Sequence, residues 1–288
     1  MNPFEYQTPT TLEQATALLA RPGAYPLAGG TDLLVKMRYR RLTPTCLVDL
    51  KHIPALTRIV VDENGLLLGA AVTCADLVAH PDVRQTYPGL IDAIAIIGGT
   101  AIQNRATVGG NLCNAAPSAD SAPALIVHNA QAVIAGPHGE RTLAVSDFCV
   151  APGQTALAPG ELLVAIRVPP PPPRSSAAYL RFTPRHEMDI AVAGAAAWLT
   201  LTEKGTIADA RIALGAVAPT PLPVTEAAQA LIGRQPEETA FATAAHLAQE
   251  AARPIDDVRG SAAQRRHLIG VLVRRTLRIA LERAQSAM

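Results

Sequence analysis

Leu12, Ala15, Leu18 and Leu19 recur at helical spacing, and the Thr-Thr-Leu-Glu run that opens at Thr10 has the form of a capping box closed by Glu13. This predicts a helix to about Ala20, stopped by Arg21-Pro22-Gly23. Ala24 to Ala28 then reads as a short strand that runs into Gly29 and Gly30, after which Thr31 and Asp32 are helix-capping types and Leu33 to Arg40 continues as helix. Cys46 to Leu50 is a further strand. Thr57 to Val61 and Leu66 to Ala70 form a hairpin around Glu63-Asn64-Gly65, because Asn-Gly supplies the left-handed residues that a tight turn needs. Thr73 caps a helix through Ala79, and Gly89 to Ile97 is helical. A second hairpin pairs Gln131 to Ala135 with Arg141 to Val145. Glu161 to Val168 is a last strand before Pro169 to Pro173.

Five consecutive prolines donate no backbone hydrogen bond and cannot continue a sheet interior, so a domain boundary is expected there. Beyond it, Ala177 to Thr183, Ile190 to Thr202 and Ile207 to Ala216 predict three antiparallel strands, the last two joined at Glu203-Lys204-Gly205. Val224 to Ile232, Pro236 to Ala251 and Ser261 to Ala287 carry helical patterning. The expected layout is α+β: residues 1–173, with parts of about 1–55 and 56–173, then residues 174–288 as a three-stranded sheet with helices. The last helix carries Arg265, Arg266, Arg274, Arg275, Arg278 and Arg283 among apolar runs. Such a helix either lies on a membrane or packs its apolar face on the small sheet, leaving its arginines in water or against a partner.

Composition narrows the classes of function. A chain of 288 residues favours two domains. Apolar residues are 49% and charged ones 17%, so some apolar surface is expected to meet a partner. Lys plus Arg is 25 against 24 for Asp plus Glu, a balance without the basic field that nucleic acid requires. Met1 to Tyr6 has no signal-like pattern, and the longest apolar stretch, Ala191 to Leu201, is too short for a bilayer, so a cytosolic protein is expected. Cys46, Cys74, Cys113 and Cys149 form no CxxC pair and are expected to be reduced thiols in or near the core. His52, His80, His128, His138, His186, His246 and His267 make no HExxH pattern. A GxSxG elbow is also absent, so no residue cluster suggests substrate chemistry.

Two segments carry candidate chemistry. LAGGTDLL, Leu27 to Leu34, and TVGGN, Thr107 to Asn111, each place a glycine pair among small hydrogen-bonding side chains. A pyrophosphate needs several N–H donors at close range, and turn amides supply them without a lysine; the helix near Thr31 would add its own unpaired amides. An ordinary turn is the competing reading of each pair alone. Neither GxGxxG nor GxxxxGK[ST] occurs.

LAGGTDLL, TVGGN with the downstream PSAD, GELLVAIRVP, YLRFTPRHEMDI (Tyr179 to Ile190) and ARIALGAVAPTPLPVTEAAQALIG together resemble the FAD-binding medium subunit of molybdenum hydroxylases. These are enzymes of the xanthine dehydrogenase, carbon monoxide dehydrogenase and 4-hydroxybenzoyl-CoA reductase type. The resemblance spans almost the whole chain. It implies an FAD-binding domain of the PCMH (vanillyl-alcohol-oxidase-like) type and a C-terminal flavoprotein domain. It places Leu27, Ala28, Gly29, Gly30, Thr31, Asp32, Leu33 and Leu34 around the FAD pyrophosphate and ribityl chain. Thr107, Gly109, Gly110, Asn111 and Asn114 form the facing wall.

By the same resemblance Asp120 holds a hydroxyl-bearing part of the cofactor; read from the residues alone it is equally a solvated helix cap. Leu163 falls near the flavin ring, or is simply core. Arg181 is a flavin contact or a surface salt bridge. Arg105 pairs with a phosphate or with a neighbouring acid. The tight hairpin after Ala130 lacks the cysteine-bearing insertion of the reductase branch, which implies flavin and no iron in this chain. A small subunit with two [2Fe-2S] clusters and a large molybdopterin subunit are implied as partners in a heterotrimer or its dimer. Electrons would pass from molybdenum through the clusters to FAD and an external acceptor, or in reverse in the reductase branch. A freestanding flavin oxidoreductase and a non-redox phosphate- or protein-binding module are the rival readings.

Overall fold

The computed structural model describes residues 3–185 and 188–286, so His186 and Glu187 of the Tyr179–Ile190 motif and Ala287 of the last predicted helix lie outside the described residues. Five elements form the N-terminal layer: β1 (Glu5–Gln7), α1 (Leu12–Leu19), β2 (Ala24–Leu27), α2 (Leu33–Arg38) and β3 (Cys46–Asp49). The strands make a parallel sheet in the order β1-β3-β2, with Leu27 opposite Asp49. Helical crossovers are the connections that parallel strands require. The cap of α1 sits one residue later than the pattern predicts: extended Thr11 accepts from the Gln14 N–H at 3.3 Å, and Gln14 Oε1 accepts from the Thr10 N–H at 3.0 Å. Gln14 rather than Glu13 reaches back, to the amide of the residue before the cap.

The second part holds α3 (Pro54–Thr57), the hairpin β4 (Ile59–Asp62) and β5 (Gly65–Gly69), and six short helices. These are α4 (Cys74–Ala79), α5 (Pro81–Thr86), α6 (Pro88–Ile94), α7 (Thr100–Gln103), α8 (Val108–Cys113) and α9 (Ser121–Val127). The chain continues through β6 (Gln131–Gly136), β7 (Gly139–Ala144), α10 (Val145–Phe148), β8 (Cys149–Ala151), β9 (Gln154–Thr155) and β10 (Leu162–Val168). Both predicted hairpins form, closing at Asp62–Gly65 and Gly136–Gly139. β10 returns between them, giving the antiparallel order β4-β5-β10-β6-β7. Leu66, Leu68, Leu90, Ile94, Leu125, Ile134 and Ile166 are fully buried between this sheet and the helices.

The C-terminal domain holds β11 (Ser175–Phe182), β12 (Ala193–Leu201), β13 (Ile207–Gly215), β14 (Leu222–Pro223), α11 (Thr225–Gln229), α12 (Glu238–Ala251) and α13 (Ala262–Ser286). Its antiparallel sheet has four strands, where the sequence predicts three, because Leu222 and Pro223 pair with Leu214 and Ala213. A two-residue strand has no periodicity to read, and proline is tolerated only at such an edge. α13 lies on β11 and β12 with Ile269, Val273, Leu277 and Ala280 fully buried. Its arginines divide. Arg274 and Arg278 are exposed and share Glu238, whereas Arg265 is 3% exposed and donates to the Val192 carbonyl at 2.6 Å, the Ala216 carbonyl at 3.3 Å and Asp257 at 2.6 Å. Among the described residues no helix is long and apolar enough to cross a membrane.

Candidate cofactor site

Neither glycine pair is a hairpin-like bend. Gly29 and Gly30 form the turn between β2 and α2, and Gly30 takes a φ of 77°, a conformation open to glycine at little cost. Asp32 stands at the N-cap of α2 but its side chain makes no capping bond. Gly109 and Gly110 lie inside the first turn of α8, where Thr107 is the N-cap and accepts from the Gly110 N–H at 2.9 Å. Each segment therefore opens a helix, whose first-turn amides lack intrahelical partners.

The two segments meet. A Cβ on Gly29 would overlap the carbonyl oxygen of Arg105 and lie 2.9 Å from the Ala106 Cα. On the far side, a Cβ on Gly109 would come within 2.5 Å of the Ala70 carbonyl oxygen. The absent side chains at Gly29 and Gly109 thus admit protein backbone. Gly110 differs: a Cβ there would meet only the Thr107 hydroxyl, at 2.7 Å, and the residue is half-buried. A lysine ties the walls together, Lys36 Nζ donating to Asn114 Oδ1 at 2.6 Å.

Beneath the first loop lies a polar cluster that sequence reasoning missed. Lys51 donates to the Ala28 carbonyl at 3.3 Å and to Asp49 Oδ1 at 2.5 Å, and the Tyr6 hydroxyl donates to the other Asp49 oxygen. Burial works against the charge on Asp49, which is 2% exposed, yet Lys51 and Tyr6 overcome it and hold the carboxyl below its ordinary range.

Asp120 is not a solvated cap. It is 6% exposed, makes no capping bond to α9, and accepts from the Tyr179 hydroxyl at 2.7 Å and from Arg181 Nη1 at 2.5 Å. The salt bridge of Arg181 is accordingly buried rather than at the surface, with side-chain exposures of 7% and 8%. Burial pushes the Asp120 carboxyl up; the guanidinium and the hydroxyl work against that. Burial and the Asp120 charge push the Tyr179 hydroxyl well above its usual value, so it remains a donor. A signal for Tyr179 exists in the sequence, because residues two apart on a strand share a face and Arg181 is a candidate. Next to this group, Ser121 donates to Asn111 Oδ1 at 2.6 Å, which links TVGGN to the start of α9.

The remaining candidates separate. Leu27 packs with Leu33, Met37 and Leu47 in a small cluster, while Leu34 is 42% exposed. Thr31 is half-buried at the loop tip. Leu163 is 1% exposed in the main core; the carbonyl of its neighbour Val164 accepts from Ala70, the residue against which Gly109 packs. Arg105 is exposed, and among the described residues no carboxylate forms a salt bridge with it. Cys46 and Cys74 are buried and Cys113 and Cys149 partly so, all four as free thiols; burial raises Cys74 and Cys113 to about 12 and Cys149 to about 11.

Two domain families account for the chain: residues 2–171 match the FAD binding domain in molybdopterin dehydrogenase, and residues 177–280 match the CO dehydrogenase flavoprotein C-terminal domain. The chain is 35% identical over 285 residues to the carbon monoxide dehydrogenase medium chain of Afipia carboxidovorans, covering 98% of each chain. It is 37% identical over 227 residues to a putative xanthine dehydrogenase FAD-binding subunit of Escherichia coli, covering 78% of this chain and 77% of that one. A chain of the reconstituted CO dehydrogenase from Oligotropha carboxidovorans superimposes with a TM-score of 0.94 at 34% identity, covering 98% and 99%. Fold and family matches define a flavoprotein of the oxidoreductase class. Within that class, the chain belongs to the family of FAD-binding medium subunits of molybdenum hydroxylases.

Proposed function

We propose that this chain is the flavin-bearing relay of a molybdenum hydroxylase complex, in which the loop around Gly29–Thr31 and the opening of α8 at Thr107–Asn111 hold the FAD pyrophosphate. The observation that carries this reading is the abutment of the two glycine segments, Gly29 against Arg105 and Ala106. It brings two helix starts to one place, and helix starts favour anions. Gly110 supplies the test of fit, since a Cβ there would meet no backbone of another element, only the Thr107 hydroxyl. Asp120 borders the hydroxyl-bearing chain of the cofactor; a carboxylate has about four acceptor positions, and Tyr179 and Arg181 take one on each oxygen. When bound, FAD exchanges electrons singly or in pairs, which joins one-electron clusters to a two-electron acceptor.

The chemistry on the organic substrate then belongs to a large molybdopterin subunit, and a small subunit with [2Fe-2S] clusters stands between it and this chain, in the cytoplasm. Supporting this assignment, the segment after the glycine loop leaves Leu34, Val35 and Tyr39 exposed at 42%, 51% and 66%, beside Lys36, Arg38, Arg40 and Arg41. Apolar surface of this kind is characteristic of contacts between proteins. Likeness to chains named as subunits of dehydrogenases weighs against a freestanding oxidoreductase, and a colourless protein that ignores added FAD would favour a non-redox binding module.

The experiment is purification of the native complex with its visible spectrum and subunit composition, alongside a Gly110→Val variant. Wild type is expected to carry flavin bands and copurifying iron-sulfur and molybdenum subunits. The variant should lose the flavin bands while keeping its far-UV circular dichroism, because the capping bond at Thr107 is worth only about 1 kcal/mol. Full flavin content in the variant contradicts the placement.

A further inference from the structure

β11 pairs with β12 on one side only, so its other edge presents unpaired backbone groups. Two of them are closed by an ion pair. The Tyr179 N–H donates to Asp92 Oδ2 at 3.2 Å, and the Ala177 carbonyl accepts from Arg283 Nη1 at 2.8 Å. Arg283 also grips both oxygens of Asp92, Nη1 to Oδ2 at 2.6 Å and Nη2 to Oδ1 at 3.0 Å. One donor and one acceptor thus stand where a neighbouring strand would provide them. Asp92 comes from α6, three residues after Gly89 and so on the same helix face. A Cβ on Gly89 would lie 2.7 Å from that of Ala177 and 2.9 Å from its carbonyl carbon, so α6 rests directly on the strand. Arg283 comes from the last turns of α13.

The residue whose amide is held by Asp92 is also the one whose hydroxyl reaches Asp120, and Arg181 follows two positions later. Because side chains alternate along a strand, a slip of β11 by one residue would turn both away from Asp120. Space for Tyr179 depends on the same register: Gly194 lies opposite Arg181, and a Cβ there would come within 2.5 Å of the Tyr179 hydroxyl oxygen.

We propose that Asp92 and Arg283 are positioning residues for the cofactor site: as a paired plug on the free edge of β11 they fix its register against α6, so that Tyr179 and Arg181 meet Asp120. This rests on the reading that Asp120 borders FAD. The hydrogen bonds of both residues run to β11 and to each other, so both act through the strand.

The test uses the purified native complex, stripped of flavin and titrated with FAD. Asp92→Asn and Arg283→Gln are expected to raise the Kd for FAD about tenfold, and Arg283→Lys, which keeps the charge, to recover part of the loss. In an Arg181→Gln background the effect of Asp92→Asn on the Kd should shrink, since one of the two residues through which it acts is gone. A lowered melting temperature with unchanged FAD affinity overturns the proposal, as do losses that simply add in the Arg181→Gln background. Should Asp92→Asn fail to fold, Arg283→Lys and its combination with Arg181→Gln decide between the same outcomes. A wild-type complex that takes up no FAD would instead sink the assignment of the site, which is a different result.

Discussion

Gly29 and Gly110 stand in similar dipeptides and serve different neighbours. The sequence marks both as places of close backbone approach, but only the fold shows what approaches: at Gly29 it is the Arg105 carbonyl, at Gly109 the Ala70 backbone, and at Gly110 a single hydroxyl. Spacing along the chain carries no information about a contact between residues so far apart. The expected consequence is a split in mutant behaviour. Gly29→Ala should cost roughly 1–3 kcal/mol of stability in chemical denaturation, since its methyl meets main chain that cannot rotate away, whereas Gly110→Ala should cost about 1 kcal/mol or less. Equal losses would mean that the loops part more easily than their packing indicates. Asp120 teaches a related lesson. Its residue type pointed to hydroxyl recognition, but its partners Tyr179 and Arg181 lie in the other domain, where only the alternation of a strand offered a clue.

At the scale of elements, the hairpins were legible because glycine turns and alternating apolar positions fix both ends of the strands. β14 was not, being two residues that pair only because β13 offers an edge. The α13 pattern gave a basic amphipathic helix correctly, and then misled on its arginines. Arg265 faces inward because the Val192 and Ala216 carbonyls end β-structure beside it and need a donor there. Arg265→Met is accordingly expected to destabilise the protein by about 2–4 kcal/mol in urea unfolding, chiefly from the carbonyls left unpaired. Arg275→Met, on the exposed face, should change it by less than about 0.5 kcal/mol.

Across the whole molecule, one histidine registers how the halves fit. His128 ends α9, is 4% exposed, and lies between Tyr87 and Trp198, with ring centroids 6.1 Å and 5.2 Å away. Burial lowers it from 6.5 to about 4, so the ring is neutral at ordinary pH, and Nδ1 must carry the proton it donates to the Ala124 carbonyl at 2.7 Å. Between about pH 6.5 and pH 4 the unfolded chain binds a proton that the folded one does not. The contribution of this group is therefore complete above pH 6.5 and is lost as pH falls through 4, about 3 kcal/mol in all. His128→Gln should remove that component, seen as a shallower decline of unfolding free energy between about pH 7.5 and about pH 4.5; an identical slope in both proteins would refute the burial of an uncharged ring.

The proline run adds a consequence of its own. Val168 O and Pro170 N lie against Gly65, where a Cβ would come within 2.8 Å of that nitrogen, and the Pro169 carbonyl accepts from Tyr87 at 3.3 Å. The run is moored at its start, over Val168–Pro170. The free span between Asp120 and Arg181 is thereby shortened, so the two meet at a higher effective concentration than a wholly slack tether of the same length would provide.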